Sequence, residues 1–293
     1  MKNQKSIVLL IHGIRTRANW QGFVSDLIEK HTSVTPIPIK YGYFDVFRFW
    51  LPLNFLRRQP IERVHKEIRE VRKKNPEADI QIIAHSYGTH TICTILERFD
   101  DIRLSRLVLC GSVVRSDYNW SRVSDQIAPS DEGPAIINEC GTKDIWPVLA
   151  RSTTWGYGST GTFGFGTVSV KDRLHPLPHS GYFSKKFVKD NWLPLLETGT
   201  FRNTTSDRTG IGSPWWMAPL SLPYRWGLVT GLAAFVWWGM SFTPLGMIPN
   251  PIEIVDDTPS GNGSTQTNVN AQNGIAAGGD IKAGDITIGA DNE

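Results

Sequence analysis

Residues 81–89, Gln-Ile-Ile-Ala-His-Ser-Tyr-Gly-Thr, decide how the rest of the chain is read. Ile80 to Ala84 form a short apolar run, and a helical pattern begins near Gly88. A serine between such a strand and such a helix lies on a sharp turn that lifts its hydroxyl above the sheet. That turn demands small residues two positions to either side of it. Gly88 meets the demand, and Ala84 offers the next smallest residue on the other side. The helix start directs its positive end at the same point, where an oxyanion would develop. Ser86 is therefore the candidate nucleophile.

The partners of a nucleophilic serine follow in order. An early apolar run, 7–11, leads into His12-Gly13-Ile14, the place for an oxyanion loop. The backbone N–H groups of Ile14 and of Tyr87 are the candidate donors to a tetrahedral oxygen. An acid is needed later in the sheet, and Asp144 follows the run AIINEC through the turn GTKD. A base should follow the last strand, and His179 stands in LPHSGYF after VSVKD. His179 would take the hydroxyl proton and return it to the leaving group, while Asp144 would orient the imidazole. His175 is the rival base, held between leucine and prolines in LHPLP. Asp117 is a rival acid one strand earlier, and Asp172 reads as a strand-end surface acid. His85 reads as packing under the turn, His12 as shaping the oxyanion loop, and Tyr87 as a pocket wall. Arg15 and Arg17, beside that loop, are either solvated or hold an anionic substrate group, with Arg15 the candidate for substrate binding.

Apolar runs and helical patterns alternate to about residue 197, as a mostly parallel α/β sheet with flanking helices requires. Expected strands are 7–11, 35–40, 80–84, 104–109, 135–139 and 168–171; expected helices are 20–29, 61–74, 89–99 and 184–192. The aromatic stretch 41–59 and the glycine-rich stretch 156–166 read either as plain coverings and connectors or as walls of an acyl pocket, the second being a mobile loop by composition.

The segments IVLLIHGIRTRANWQ, IIAHSYGT, GTKDIWP and HSGYF together resemble the α/β-hydrolase superfamily. They are similar in particular to bacterial hydrolases whose first strand ends in HGIRT followed by tryptophan. The resemblance covers about residues 5–197 and implies a serine esterase or lipase-like enzyme working through Ser86, Asp144 and His179. The alanine at position 84 is a mild departure. The absence of a recognisable large cap leaves lipase behaviour open.

The net charge of +3 hides a split. Thirty of the 31 lysines and arginines lie in residues 1–225 beside 21 acids, whereas Lys282 stands against seven acids in the remainder. A basic body of this kind is drawn to anionic surfaces, and with no nucleic-acid motif in the chain the expected surface is a membrane. Cys93, Cys110 and Cys140 are scattered among apolar residues, which predicts buried, reduced thiols in an intracellular protein. The apolar run behind the N-terminus is too short for a signal peptide. No metal cluster, nucleotide loop or dinucleotide fingerprint occurs, so no cofactor and no metal are expected.

After the hydrolase-like region (1–198) come a polar linker (199–213), a hydrophobic segment (214–252) and an acidic Gly/Asn/Asp-rich tail (253–293). Residues 226–249 are 24 in number and uncharged, enough at about 1.5 Å each to cross a hydrocarbon core of roughly 30 Å. The competing readings are a buried helix or an interfacial hairpin. A single span with its basic flank inside would hold the hydrolase domain in the cytoplasm. Gly227 and Gly231 form a small-xxx-small pair that permits self-association. The tail carries the near-repeats GIAAGGDI and AGDITIG. It resembles the amyloid-type signalling motifs of bacterial immune proteins, and reads equally as a disordered acidic tail. Three functions stay in play: a membrane-tethered hydrolase of acyl or lipid esters, with an effector role in bacterial defence as one reading of it; a signalling or assembly protein whose tail recruits partners; and a thioesterase or peptidase on the same fold.

Overall fold

The computed structural model describes residues 5–13, 19–39, 54–128, 133–202 and 212–241. The chain divides into two units, Met1–Phe242 and Thr243–Glu293, and every described residue belongs to the first. The expected tail, the far end of the hydrophobic segment and most of the 41–59 stretch lie outside the described residues.

Six strands form one sheet: β1 (Ser6–Ile11), β2 (Thr35–Ile39), β3 (Asp79–His85), β4 (Arg106–Cys110), β5 (Ile136–Gly141) and β6 (Lys171–His175). Their order is β2-β1-β3-β4-β5-β6, and all pairs are parallel. A parallel sheet is covered on both faces, which is why its central strands are apolar runs without alternation. The two-residue period nevertheless sorts them. Val8, Leu10, Ile83, Val108 and Ile137 pack with helix α1 (Asn19–His31) and with Trp192 and Leu195. Ile7, Leu9, Ile11, Ile82, Leu107 and Leu109 face α2 (Asn54–Lys74) and α3 (Tyr87–Arg98). This is an α/β fold, a parallel sheet with helices on both sides. Cys93, Cys110 and Cys140 are buried and free.

Four expectations need correction. The last strand is not 168–171 but runs from Lys171 to His175. Its sequence, KDRLH, carries no apolar signature because its buried face is ionic: Arg173 is paired in register with Glu139 of β5. Val168, by contrast, is fully exposed. The helix expected from residue 61 begins at Asn54, with Pro60 inside it; the proline removes one hydrogen bond without ending the helix. The helix expected over 184–192 is instead α6 (Lys185–Phe187), a π turn (Val188–Trp192) and α7 (Leu193–Thr198).

The fourth correction concerns the glycine-rich stretch. After α4 (Trp146–Thr153) it folds into α5 (Thr160–Phe163), and Gly158, Ser159, Thr160 and Thr162 are buried. Gly158 N–H donates to Val113 O at 2.8 Å, and Gly161 N–H to Ser112 O at 2.7 Å. A side chain at Gly161 would collide with the backbone of Ser112. Glycine here permits close packing on the end of β4, not motion.

Beyond α8 (Met217–Leu220), helix α9 (Arg225–Ser241) has no buried residue, and Leu232, Phe235 and Trp237 stand out from it. It is apolar all round, with no stripe directed at the domain. At about 1.5 Å per residue its 17 residues fall short of a bilayer core. Among the described residues no helix is long and apolar enough to cross a membrane. Residues 242–249 of the expected span lie outside the described residues. Among the described residues nothing stands within 4 Å of where a Cβ would lie at Gly227 or Gly231.

Candidate active site

Ser86 adopts φ +54° and ψ −124°, and it is the one non-glycine residue with positive φ among the described residues. Such a conformation costs on the order of 1–3 kcal/mol and persists only where its surroundings impose it. Ser86 N–H donates to Cys110 O at 3.0 Å, and Ser86 O accepts from Thr89 N at 2.9 Å and Thr89 Oγ1 at 2.6 Å. Ala84 lies in the ladder between Ile11 and Leu109. The start of α3 presses on β1: a Cβ at Gly88 would stand 2.7 Å from His12 O and 2.8 Å from Ile11 O. One at Gly13 would stand 2.7 Å from Ser86 Cβ. The His-Gly pair after β1 thus lies directly against the serine.

Asp144 follows β5 through a turn closed by Asp144 N–H to Gly141 O at 2.9 Å. Its carboxylate is fully buried. Oδ1 accepts from Trp146 N at 3.1 Å, and Oδ2 lies 2.7 Å from His179 Nδ1. Its backbone carbonyl accepts from Thr162 Oγ1 at 2.6 Å. The imidazole of His179 is 19 % exposed, so one edge is open while the other is held. A Cβ at Gly111, just past β4, would come within 3.0 Å of that ring. His85 Nε2 lies 2.9 Å from His179 O, and the two rings are 4.5 Å apart. Asp144 and His179 are thus paired, and Ser86, Asp144 and His179 each follow the carboxyl end of a strand, β3, β5 and β6, the end where open parallel sheets place their ligand sites.

The rivals are placed elsewhere. His175 Nε2 lies 2.6 Å from Glu139 Oε2 in a buried network that also includes Arg173 and Trp192 Nε1. Burial alone would raise the Glu139 pKa, but Arg173 and His175 outweigh it and hold it below the usual carboxylate range. Asp117 is exposed and paired with Arg115. Asp172 is more than a surface acid: it accepts from Phe165 N at 2.9 Å, Gly166 N at 2.8 Å and Asn138 Nδ2 at 2.8 Å, tying the glycine-rich segment to β5.

Burial, reinforced by the neighbouring His179, pushes His85 well below the ordinary histidine range and keeps it neutral, packed against Trp20, Phe183 and Tyr182. His12 Nδ1 lies 2.7 Å from Gly13 O, and burial lowers its pKa too. The Tyr87 side chain is wholly buried beside Tyr157 and His90, so it belongs to the core. Ile14, Arg15 and Arg17 lie outside the described residues. Thr162, Glu139 and Arg173 were not expected. Among the described residues no group of His, Cys, Asp and Glu is arranged to hold a metal. A cavity of about 800 Å³ beside Trp120, Ile127 and Val170 contains neither Ser86 nor His179.

No protein-family model and no curated protein matches the chain. Solved structures similar to it include a predicted CIB-like hydrolase from Thermoplasma acidophilum, 13% identical, spanning 65% of this chain and 86% of that one with a TM-score of 0.42. A highly thermostable carboxyl esterase from Bacillus coagulans is 13% identical over 65% of this chain and 87% of its own, with a TM-score of 0.39. A Pyrococcus furiosus esterase is 12% identical over 64% and 79%, with a TM-score of 0.41. At such identities no activity passes from these proteins to this chain.

Proposed function

We propose that the chain is a serine hydrolase that cleaves carboxylic esters through an acyl-enzyme on Ser86. The observation that carries this reading is the positive φ of Ser86 at the β3–α3 turn, a strained conformation held by hydrogen bonds to Cys110 and Thr89. With Nδ1–H donated to Asp144, His179 presents Nε2 as the base. Nε2 takes the Ser86 proton as Oγ bonds to the substrate carbonyl carbon. The tetrahedral oxyanion receives the backbone N–H of Tyr87 at the start of α3; Ile14, the second expected donor, lies outside the described residues. Collapse breaks the ester C–O bond, and His179 returns the proton to the departing alkoxide. Water, deprotonated by the same imidazole, then releases the acid and restores Ser86.

The charge and the apolar helix support a finer reading. A domain carrying most of the chain's lysine and arginine, followed by a helix that is apolar beyond its first residue, Arg225, except for Thr230 and Ser241, is suited to the cytoplasmic face of a membrane and to acyl or lipid esters presented there. Thioesters and peptides are open to the same triad. A panel of short acyl esters, thioesters and peptides, offered to the wild type and to Ser86→Ala, tests the proposal. Ester turnover that vanishes in the folded variant is the expected result; equal turnover in both removes Ser86 as nucleophile.

A further inference from the structure

Where α9 leaves the domain, a cavity of about 300 Å³ is walled in part by Arg115, Arg151, Arg225, Ser159 and Tyr157. Asp117 is the single acid among its lining residues, so the three guanidinium groups outnumber it. Their present bonds differ. Arg115 is engaged by Asp117, with Nε 2.8 Å from Oδ1. Arg151 makes a long contact, Nη1 to Ser159 Oγ at 3.4 Å, and its charge also acts on Asp117. Arg225 Nη1 caps the last turn of α4, donating to Arg151 O at 3.0 Å and Thr154 O at 3.2 Å. Its Nε is buried and has no hydrogen-bond partner among the described residues. A buried donor without an acceptor among the described residues can take one from a bound ligand, and guanidinium groups suit the oxygens of a phosphate.

The surroundings indicate where such a phosphate would come from. Arg225 is the first residue of α9, and Trp226, the second, packs edge-to-face on Trp155 of the domain. Basic and tryptophan residues at the start of an apolar helix sit at the headgroup level of a bilayer. We propose that this cavity binds the phosphate of an anionic phospholipid headgroup and seats the hydrolase domain on the membrane surface. The proposal rests on the reading that α9 meets lipid. Ser159 also directly precedes α5, the element that holds Asp144 through Thr162, so the seat adjoins the support of the active site.

Binding of the full chain to vesicles separates the two readings. The vesicles are phosphatidylcholine alone, or the same lipid with a minority of phosphatidylglycerol. The expected result is tighter binding to the anionic vesicles, reduced by about fivefold for each arginine removed in Arg115→Gln and Arg151→Gln. Binding to phosphatidylcholine, the circular dichroism spectrum and turnover of a soluble ester should be unchanged. The charge-matched control Lys73→Gln/Lys74→Gln, at the end of α2 that leads into β3, should keep most of the anionic preference. An equal loss in that control overturns the site in favour of diffuse electrostatics. Arginine-independent vesicle binding, with inorganic phosphate alone protecting the wild type from unfolding, overturns the lipid source in favour of a free anion. Failure to bind either vesicle overturns the membrane reading and the headgroup site together. Binding to phosphatidylcholine with no anionic preference overturns the headgroup site alone.

Discussion

Thr162 Oγ1 donates a 2.6 Å hydrogen bond to the backbone carbonyl of Asp144, and both residues are fully buried. The stretch that composition marks as mobile thus supports the acid that holds His179. Thr162→Val should leave the Asp144 carbonyl without its buried donor, lowering stability by about 1–3 kcal/mol. It should also lower kcat more than it raises KM, because the displaced group acts on the imidazole and not on the substrate. Thr162→Ser should restore both. Urea midpoints and steady-state kinetics on the three proteins check this.

Asp144→Asn removes the acceptor that fixes the His179 tautomer while keeping the shape of the side chain. From the behaviour of such triads, kcat should fall by about four orders of magnitude with the fold intact. Asp117→Asn, which only loosens an exposed pair with Arg115, should leave turnover within about twofold of wild type. Ester hydrolysis measured for both variants decides between the two acids.

Gly88→Ala should injure the nucleophile turn. The added methyl would stand 2.7 Å from His12 O and 2.8 Å from Ile11 O, backbone atoms of the neighbouring strand that cannot swing aside. Moving Ser86 by even an ångström should cost about a hundredfold in kcat/KM. Kinetics paired with a thermal melt separate this displacement from unfolding.

Glu139→Gln should destabilise the fold by about 3–5 kcal/mol, because Arg173 keeps a wholly buried charge with its partner gone. The folded carboxyl titrates below its unfolded value of about 4.3. Its stabilisation is therefore present above that value and lost as pH falls through the lower folded pKa. Wild-type stability should decline steeply below about pH 4, and more shallowly in the variant. Urea unfolding across the acid range measures the difference in slope.

The sheet and the serine turn were legible because each has a strong local signature. Ile7 to Ile11 and Ile80 to Ala84 are continuous apolar runs, and Ser86 stands between a strand and a helix with Gly88 two positions on. The last strand was misplaced because its inward residue, Arg173, is neutralised by Glu139 from a distant part of the chain. Pairing of that kind leaves no trace in local hydropathy. Thr162 was hidden among glycines whose role is close packing on β4, which composition cannot distinguish from flexibility. His179 and Asp144 were placed by chain order, but the hydrogen bond between them joins residues 35 positions apart and needs the fold.

Reaction of the full chain with a fluorophosphonate, followed by mass-spectrometric mapping, tests most directly whether Ser86 is the nucleophile. A single covalent adduct is predicted on the peptide containing Ser86, lost in Ser86→Ala and strongly slowed in a His179 variant. An adduct on another residue, or labelling that persists in Ser86→Ala, would contradict it.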